Sequence, residues 1–149
     1  MRRISNALLK FLRQTPQRRG LLLEAALGLT LARLALRFVP FRQLKPFFNR
    51  PVKGPQENGR QRESLRKEVA WAIEKTAKFL PGETVCFPRG IVAQAMLRRR
   101  GVATILYYGV TTSNGNGSTA HVWVQDGAQG VVGHRDIEAY HILARYPEA

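Results

Sequence analysis

The pattern of apolar and polar positions changes character twice along the chain. Arg2 to Gln14 places Ile4, Leu8, Phe11 and Leu12 at helical spacing with Arg3, Lys10 and Arg13 elsewhere, which predicts a short amphipathic helix. Pro16 and Gly20 punctuate the chain. From Leu21 to Val39 the run LLLEAALGLTLARLALRFV is apolar around most of a helical circumference, with Thr30, Arg33 and Arg37 on one narrow polar stripe. Glu24 falls early enough for the helix dipole to favour an anion. The run approaches the length of a bilayer span, but two arginines in its last turns would each cost roughly 2.5 to 3.5 kcal/mol at a membrane centre. Packing in a protein core is the favoured reading over a spanning helix.

Residues 40 to 60 hold four prolines and two glycines, which predicts a connector with little regular structure between two regions of different character, 1–60 and 61–149. Helical periodicity returns from Ser64 to Leu80, with Leu65, Val69, Ala72, Ile73 and Ala77 on one face and Arg66, Lys67, Glu74 and Lys78 solvated, stopped by Pro81-Gly82. A further helix is expected from Cys86 to Arg100: Pro88 suits its first turn and Gly101 its end. Then the period shortens. ATILYYGV from Ala103, AHVWVQ from Ala120 and a short run from Gly130 to His134 read as strands, the first two separated by the polar loop TTSNGNGST and the last two by a turn at Asp126-Gly127. Helices followed by a small antiparallel sheet make an α+β domain.

Composition narrows the possibilities. The 149 residues include 44% hydrophobic ones, enough for a core, and a single cysteine, which excludes an internal disulfide framework and a Cys-rich zinc site. His134 and His141 lack a spacing that would complete a metal site, so no metal is expected. The formal net charge is +14, and residues 1–60 carry 13 Lys/Arg against 2 Asp/Glu (+11), whereas 61–149 carry 11 against 8 (+3). That N-terminal field suits an acidic peptide, an anionic membrane or nucleic acid. Nucleic acid is the least expected of these, for no helix-turn-helix or interleaved aromatic platform is visible. Arg98, Arg99 and Arg100 read as a solvated helix end.

Two residues carry the candidate chemistry. Cys86 stands at a helix N-terminus, where unpaired N–H groups and the positive dipole end favour thiolate and would hold the oxyanion of a tetrahedral intermediate. The alternative is a small buried hydrophobe. His121 opens a strand, where it would face the helix start and act as general base and acid. If Gln125 and Gly130 are cross-strand partners, His121 lies opposite His134 with Asp136 diagonal to it, which makes Asp136 the choice for the group that fixes the imidazole tautomer. Glu138 is the fallback, and Asp126 is read as shaping the turn. Trp123 is read as core.

The segment CFPRGIVAQAMLRRRGVATILYYGV followed by AHVWVQDG resembles the transglutaminase-like B proteins of lasso-peptide biosynthesis, with their Cys-x-Pro-Arg helix start, Leu-Arg-Arg-x-Gly helix end and Ala-His-x-Trp-Val strand. LLLEAALGLTLARLALRFVPFR is similar to the N-terminal helix of their stand-alone form. The resemblance implies a papain/transglutaminase-like core with N-terminal helices, and a cysteine peptidase that removes the leader from a ribosomally made precursor peptide, using Cys86 and His121 and no cofactor. The third position departs from the family pattern: an acidic residue often found a dozen positions after the histidine is here Gly133. Either Asp136 substitutes, or a backbone or water partner does. The resemblance further implies a separate leader-recognition protein and an ATP-dependent macrolactam cyclase as partners. The chain is expected to be cytoplasmic, with peripheral membrane contact open. Two rival readings stay: an acyltransferase on the same site, and a non-enzymatic basic adaptor.

Overall fold

In the computed structural model, residues 2–52, 59–80, 86–112 and 117–148 are described, and they form five α-helices and one four-stranded sheet. The expected α+β architecture is what is seen. α1 (Arg2–Leu12) is followed by α2 (Pro16–Phe38), which begins five residues before the apolar run. Pro16 does not interrupt this helix but starts it, because a first-turn residue needs no N–H, and the Thr15 side chain accepts a hydrogen bond from the Arg18 N–H as a cap. Glu24 consequently sits well inside α2.

The expected connector contains a helix, α3 (Phe41–Phe48), despite Pro46. Tertiary packing overrides its poor propensity: Phe41 meets Phe48, Phe87 and Tyr146 with ring centroids 5.3–5.9 Å apart, and Phe48 also meets Tyr146 at 5.9 Å. α4 (Gly59–Ala77) starts five residues before the expected Ser64 and ends three before Leu80, and α5 (Cys86–Arg99) occupies its expected place. The Pro81-Gly82 stop and residues 113–116 of the TTSNGNGST loop lie outside the described residues, and the loop's two ends belong to strands. Past α5, the amides of Gly101 and Val102 bond back to the carbonyls of Arg98 and Leu97.

The strands are β1 (Ile105–Thr112), β2 (Ser118–Asp126), β3 (Gln129–Val132) and β4 (His141–Tyr146), antiparallel in the order β3-β2-β1-β4, with a 3-10 turn, η1 (Ile137–Ala139), leading into β4. β4 has no counterpart among the expected strands. One face of the sheet packs on α5. There Val122, Val124 and Leu106 crowd Gly90 so closely that a Cβ on Gly90 would stand 2.7 Å from a Val122 methyl. A single apolar cluster runs through α2, α3, α4, α5 and this face, so the helices before and after residue 60 share it.

Two buried polar devices tie the layers together. Gln94 of α5 donates from its side-chain amide to the carbonyls of Thr104 (3.2 Å) and Tyr146 (2.7 Å), linking the helix to both neighbouring strand ends. Asp126, at the end of β2, is only 4% exposed and accepts hydrogen bonds from Arg62 and Arg66 of α4. Arg66 is therefore a half-buried anchor and not a solvated residue, and Asp126 does more than shape a turn. Burial pushes the Asp126 carboxyl up, but the hydrogen bonds and charges of Arg62 and Arg66 outweigh it and hold the carboxyl below its ordinary value. The arginines after Leu97 are likewise engaged: Arg99 and Arg100 pair with Glu24 of α2 at 3.0 and 2.5 Å, and Arg98 donates to the Phe47 carbonyl.

Candidate active site

Cys86 is the first residue of α5, half-buried against the apolar cluster, with its thiol at the end of the helix where backbone N–H groups lack intrahelical partners. Phe87, the next residue, is fixed by Phe41 and by Tyr108 of β1 at 6.1 Å. Gly90, one turn on, sets how near the helix lies to β2. The thiol thus stands on a helix start held by aromatic packing on one side and close sheet contact on the other.

His121 is the fourth residue of β2, paired across from Gly109. Because Val122 and Val124 turn toward α5, the alternation of a strand puts His121 and Trp123 on the other face. This differs from the expected strand-opening histidine that faces the helix start. There the imidazole packs against Tyr140 (5.1 Å between ring centroids) and Trp123 (6.1 Å), and Trp123 stacks on Tyr107 at 5.5 Å. Trp123 is 2% exposed, core as expected, although it belongs to this second face and not to the main cluster. Among the described residues no hydrogen bond joins Cys86 to His121.

A bulge determines what lies beside the imidazole. Gln125 does pair with Gly130 as expected, but the next partner of Val124 is Val132, so Val131 is an extra residue and everything beyond it is displaced by one. Past the bulge the His134 ring folds over Gly130 and meets Gln125, with 2.8 Å between the side-chain nitrogens, and the Gly133 carbonyl lies 2.6 Å from Nε2 of His121. Asp136 is exposed, in a left-handed conformation ahead of η1, and its side chain makes no capping bond. In this structure the imidazole meets a backbone carbonyl, and no hydrogen bond joins it to the Asp136 carboxylate. Glu138, in η1, is exposed as well.

That contact has a chemical consequence. A carbonyl only accepts, so Nε2 must carry the proton and Nδ1 holds the lone pair. The ring is oriented by a dipole, without the full charge a carboxylate would bring. Gly133 is needed for this: its φ is +68°, and a Cβ there would stand 2.5 Å from the Val122 carbonyl oxygen. Tyr140, the other ring partner of His121, carried no signal in the sequence beyond being aromatic. Among the described residues no group of three or more His, Cys, Asp or Glu lies close enough together to hold a metal ion.

Comparison with known proteins adds one finding. No curated protein and no solved structure matches the chain. The family model of the transglutaminase-like superfamily, however, matches residues 25–145, from within α2 to the end of β4, and takes in Cys86, His121 and Gly133. With a helix-borne cysteine and a strand-borne histidine on an α+β core, the chain belongs to the transglutaminase-like superfamily, which includes cysteine peptidases and acyltransferases.

Proposed function

We propose that this protein is a cysteine endopeptidase that cuts a ribosomally made lasso-peptide precursor between leader and core, with Cys86 as nucleophile and His121 as base. The observation that carries the reading is the Nε2 contact with the Gly133 carbonyl, which leaves Nδ1 as the nitrogen able to take a proton. In the proposed reaction the Cys86 sulfur attacks the scissile carbonyl and its proton passes to Nδ1. The N–H groups of Cys86 and Phe87 are the donors for the oxyanion, since Pro88 has none. The imidazolium then protonates the departing amine of the core, and water, deprotonated by the same ring, releases the leader acid from the thioester. His121 lies on the face of the sheet turned away from α5, so the reading requires a rearrangement, sampled before substrate binds, in which ring and thiol meet.

The leader-specific part of the reading rests on the sequence resemblance, as do a separate leader-recognition protein and the macrolactam cyclase as partners. Mass spectrometry of a leader–core precursor incubated with the protein and its recognition partner tests it. Wild-type protein is expected to release two peptides whose masses sum to the precursor plus one water. Cys86→Ala is expected to lower the rate on the order of 10⁴-fold with precursor binding retained. Undiminished cleavage by that variant would refute the nucleophile, and a product joined to an amine in place of water would move the protein to the acyltransferase class.

A further inference from the structure

α2 is apolar on two opposite sides. Leu21, Ala25, Leu29 and Ala32 are buried against α4 and α5. On the far side Leu23, Leu27, Leu31, Leu34 and Phe38, recurring every three or four residues, are 49% to 72% exposed. Burial against the protein's own core explains only the first stripe. The second runs 16 residues from Leu23 to Phe38, about 22 Å at helical rise, and single scattered leucines do not make such a ridge. Apolar grooves flank it on both sides. One of about 370 Å³ continues past Leu27 and Leu31 to Phe47 of α3, and another of about 580 Å³ joins Leu23 to Leu8 and Phe11 of α1.

The rim of this surface is cationic. Lys10 and Arg13 line the second groove, and Arg33 and Arg37 follow the edge of the α2 ridge at helical spacing. Glu24 is the one carboxylate in residues 2–52, and Arg99 and Arg100 already occupy it. A convex apolar ridge with positive flanks suits a partner that yields around it, apolar beneath and anionic at the level of the arginines. A folded protein partner would instead need a complementary trough. No helix among the described residues is long and apolar enough to cross a membrane, so contact of this kind is peripheral.

We infer that the outward stripe of α2 docks the protein on an anionic phospholipid surface. The inference stands apart from the catalytic reading, since none of its residues belongs to the candidate site. Sedimentation of the full chain with vesicles of phosphatidylcholine, with and without phosphatidylglycerol, tests it. The protein is expected to sediment with the anionic vesicles, about tenfold less with phosphatidylcholine alone, and less again as salt is raised. The double variant Leu27→Glu/Leu31→Glu is expected to lose about tenfold in binding to anionic vesicles. Both positions are exposed, and an unchanged melting temperature confirms that the variant folds. Arg13→Gln/Arg37→Gln, which leaves the ridge intact, is expected to abolish the preference for anionic lipid. Failure to bind anionic vesicles, or equal binding by the leucine variant, overturns the inference. Dimers in light scattering that the leucine variant splits, without vesicle binding, would overturn it in favour of a second copy of this chain.

Discussion

α5 and α2 are both apolar helices with arginine in their last turn, yet the protein uses them differently. α5 is enclosed: from Pro88 to Leu97 nearly every side chain is buried, with α2 and α4 on one side and the sheet on the other. α2 gives one stripe to that core and turns five large apolar side chains outward. Enclosure gives α5 a fixed first turn, which a nucleophile requires, whereas α2 keeps a surface free for contact. Two helices of similar composition thus serve a reaction and an attachment, and burial distinguishes them where hydropathy does not.

The largest effect on the enclosed side is expected at Asp126. Asp126→Asn strands Arg62 and Arg66 and should cost about 3 kcal/mol of unfolding free energy, read by urea titration. The pH dependence has a definite sign. The folded carboxyl titrates below its ordinary value, so its contribution is fully present above the unfolded value of about 3.9 and is lost as pH falls through the folded one. Wild-type stability should therefore hold from neutral pH down to about 5 and fall below about 4, and the Asn variant should lose less over that interval.

Leu97→Ala, at a fully buried position of α5, should cost about 2 to 4 kcal/mol. Gly133→Ala should be milder in stability, about 1 to 2 kcal/mol for a left-handed backbone, but should lower kcat by more than it alters KM, because the carbonyl that orients His121 is displaced. At the small end, Leu31→Ala on the outward stripe of α2 should stay within about 0.5 kcal/mol. A cost there comparable to that at Leu97 would erase the distinction between the two helices.

What the sequence made legible follows the same division. α5 announces both its ends, through Pro88 and Gly101, and β1 and β2 stand out by β-branched and aromatic runs, so the helix bearing Cys86 and the strand bearing His121 could be placed. α3 could not, because four prolines suppress local propensity and the helix owes its existence to Phe41 and Phe48 packing on Phe87 and Tyr146. Val131 is an ordinary valine, and nothing in it marks a bulge, yet that one residue replaces His134 and Asp136 by Gly133 beside the imidazole. A backbone carbonyl is present at every position and leaves no compositional trace. The two faces of α2 were hidden for a related reason: a helix apolar all round does not say which side meets the core.

The pairing of Cys86 with His121 is the point on which the enzymatic reading turns. Cys86 is the only cysteine of the chain, so alkylation by iodoacetamide at neutral pH reports on it alone. The rate is to be compared between wild type and His121→Ala without precursor and then with it, at matched melting temperatures. The expected result is rapid labelling of the wild-type thiol, protected by precursor, and labelling at least about tenfold slower when the imidazole is removed. Equal rates in the two proteins would show that thiol and ring do not act together and would contradict the assignment of this site as a cysteine peptidase.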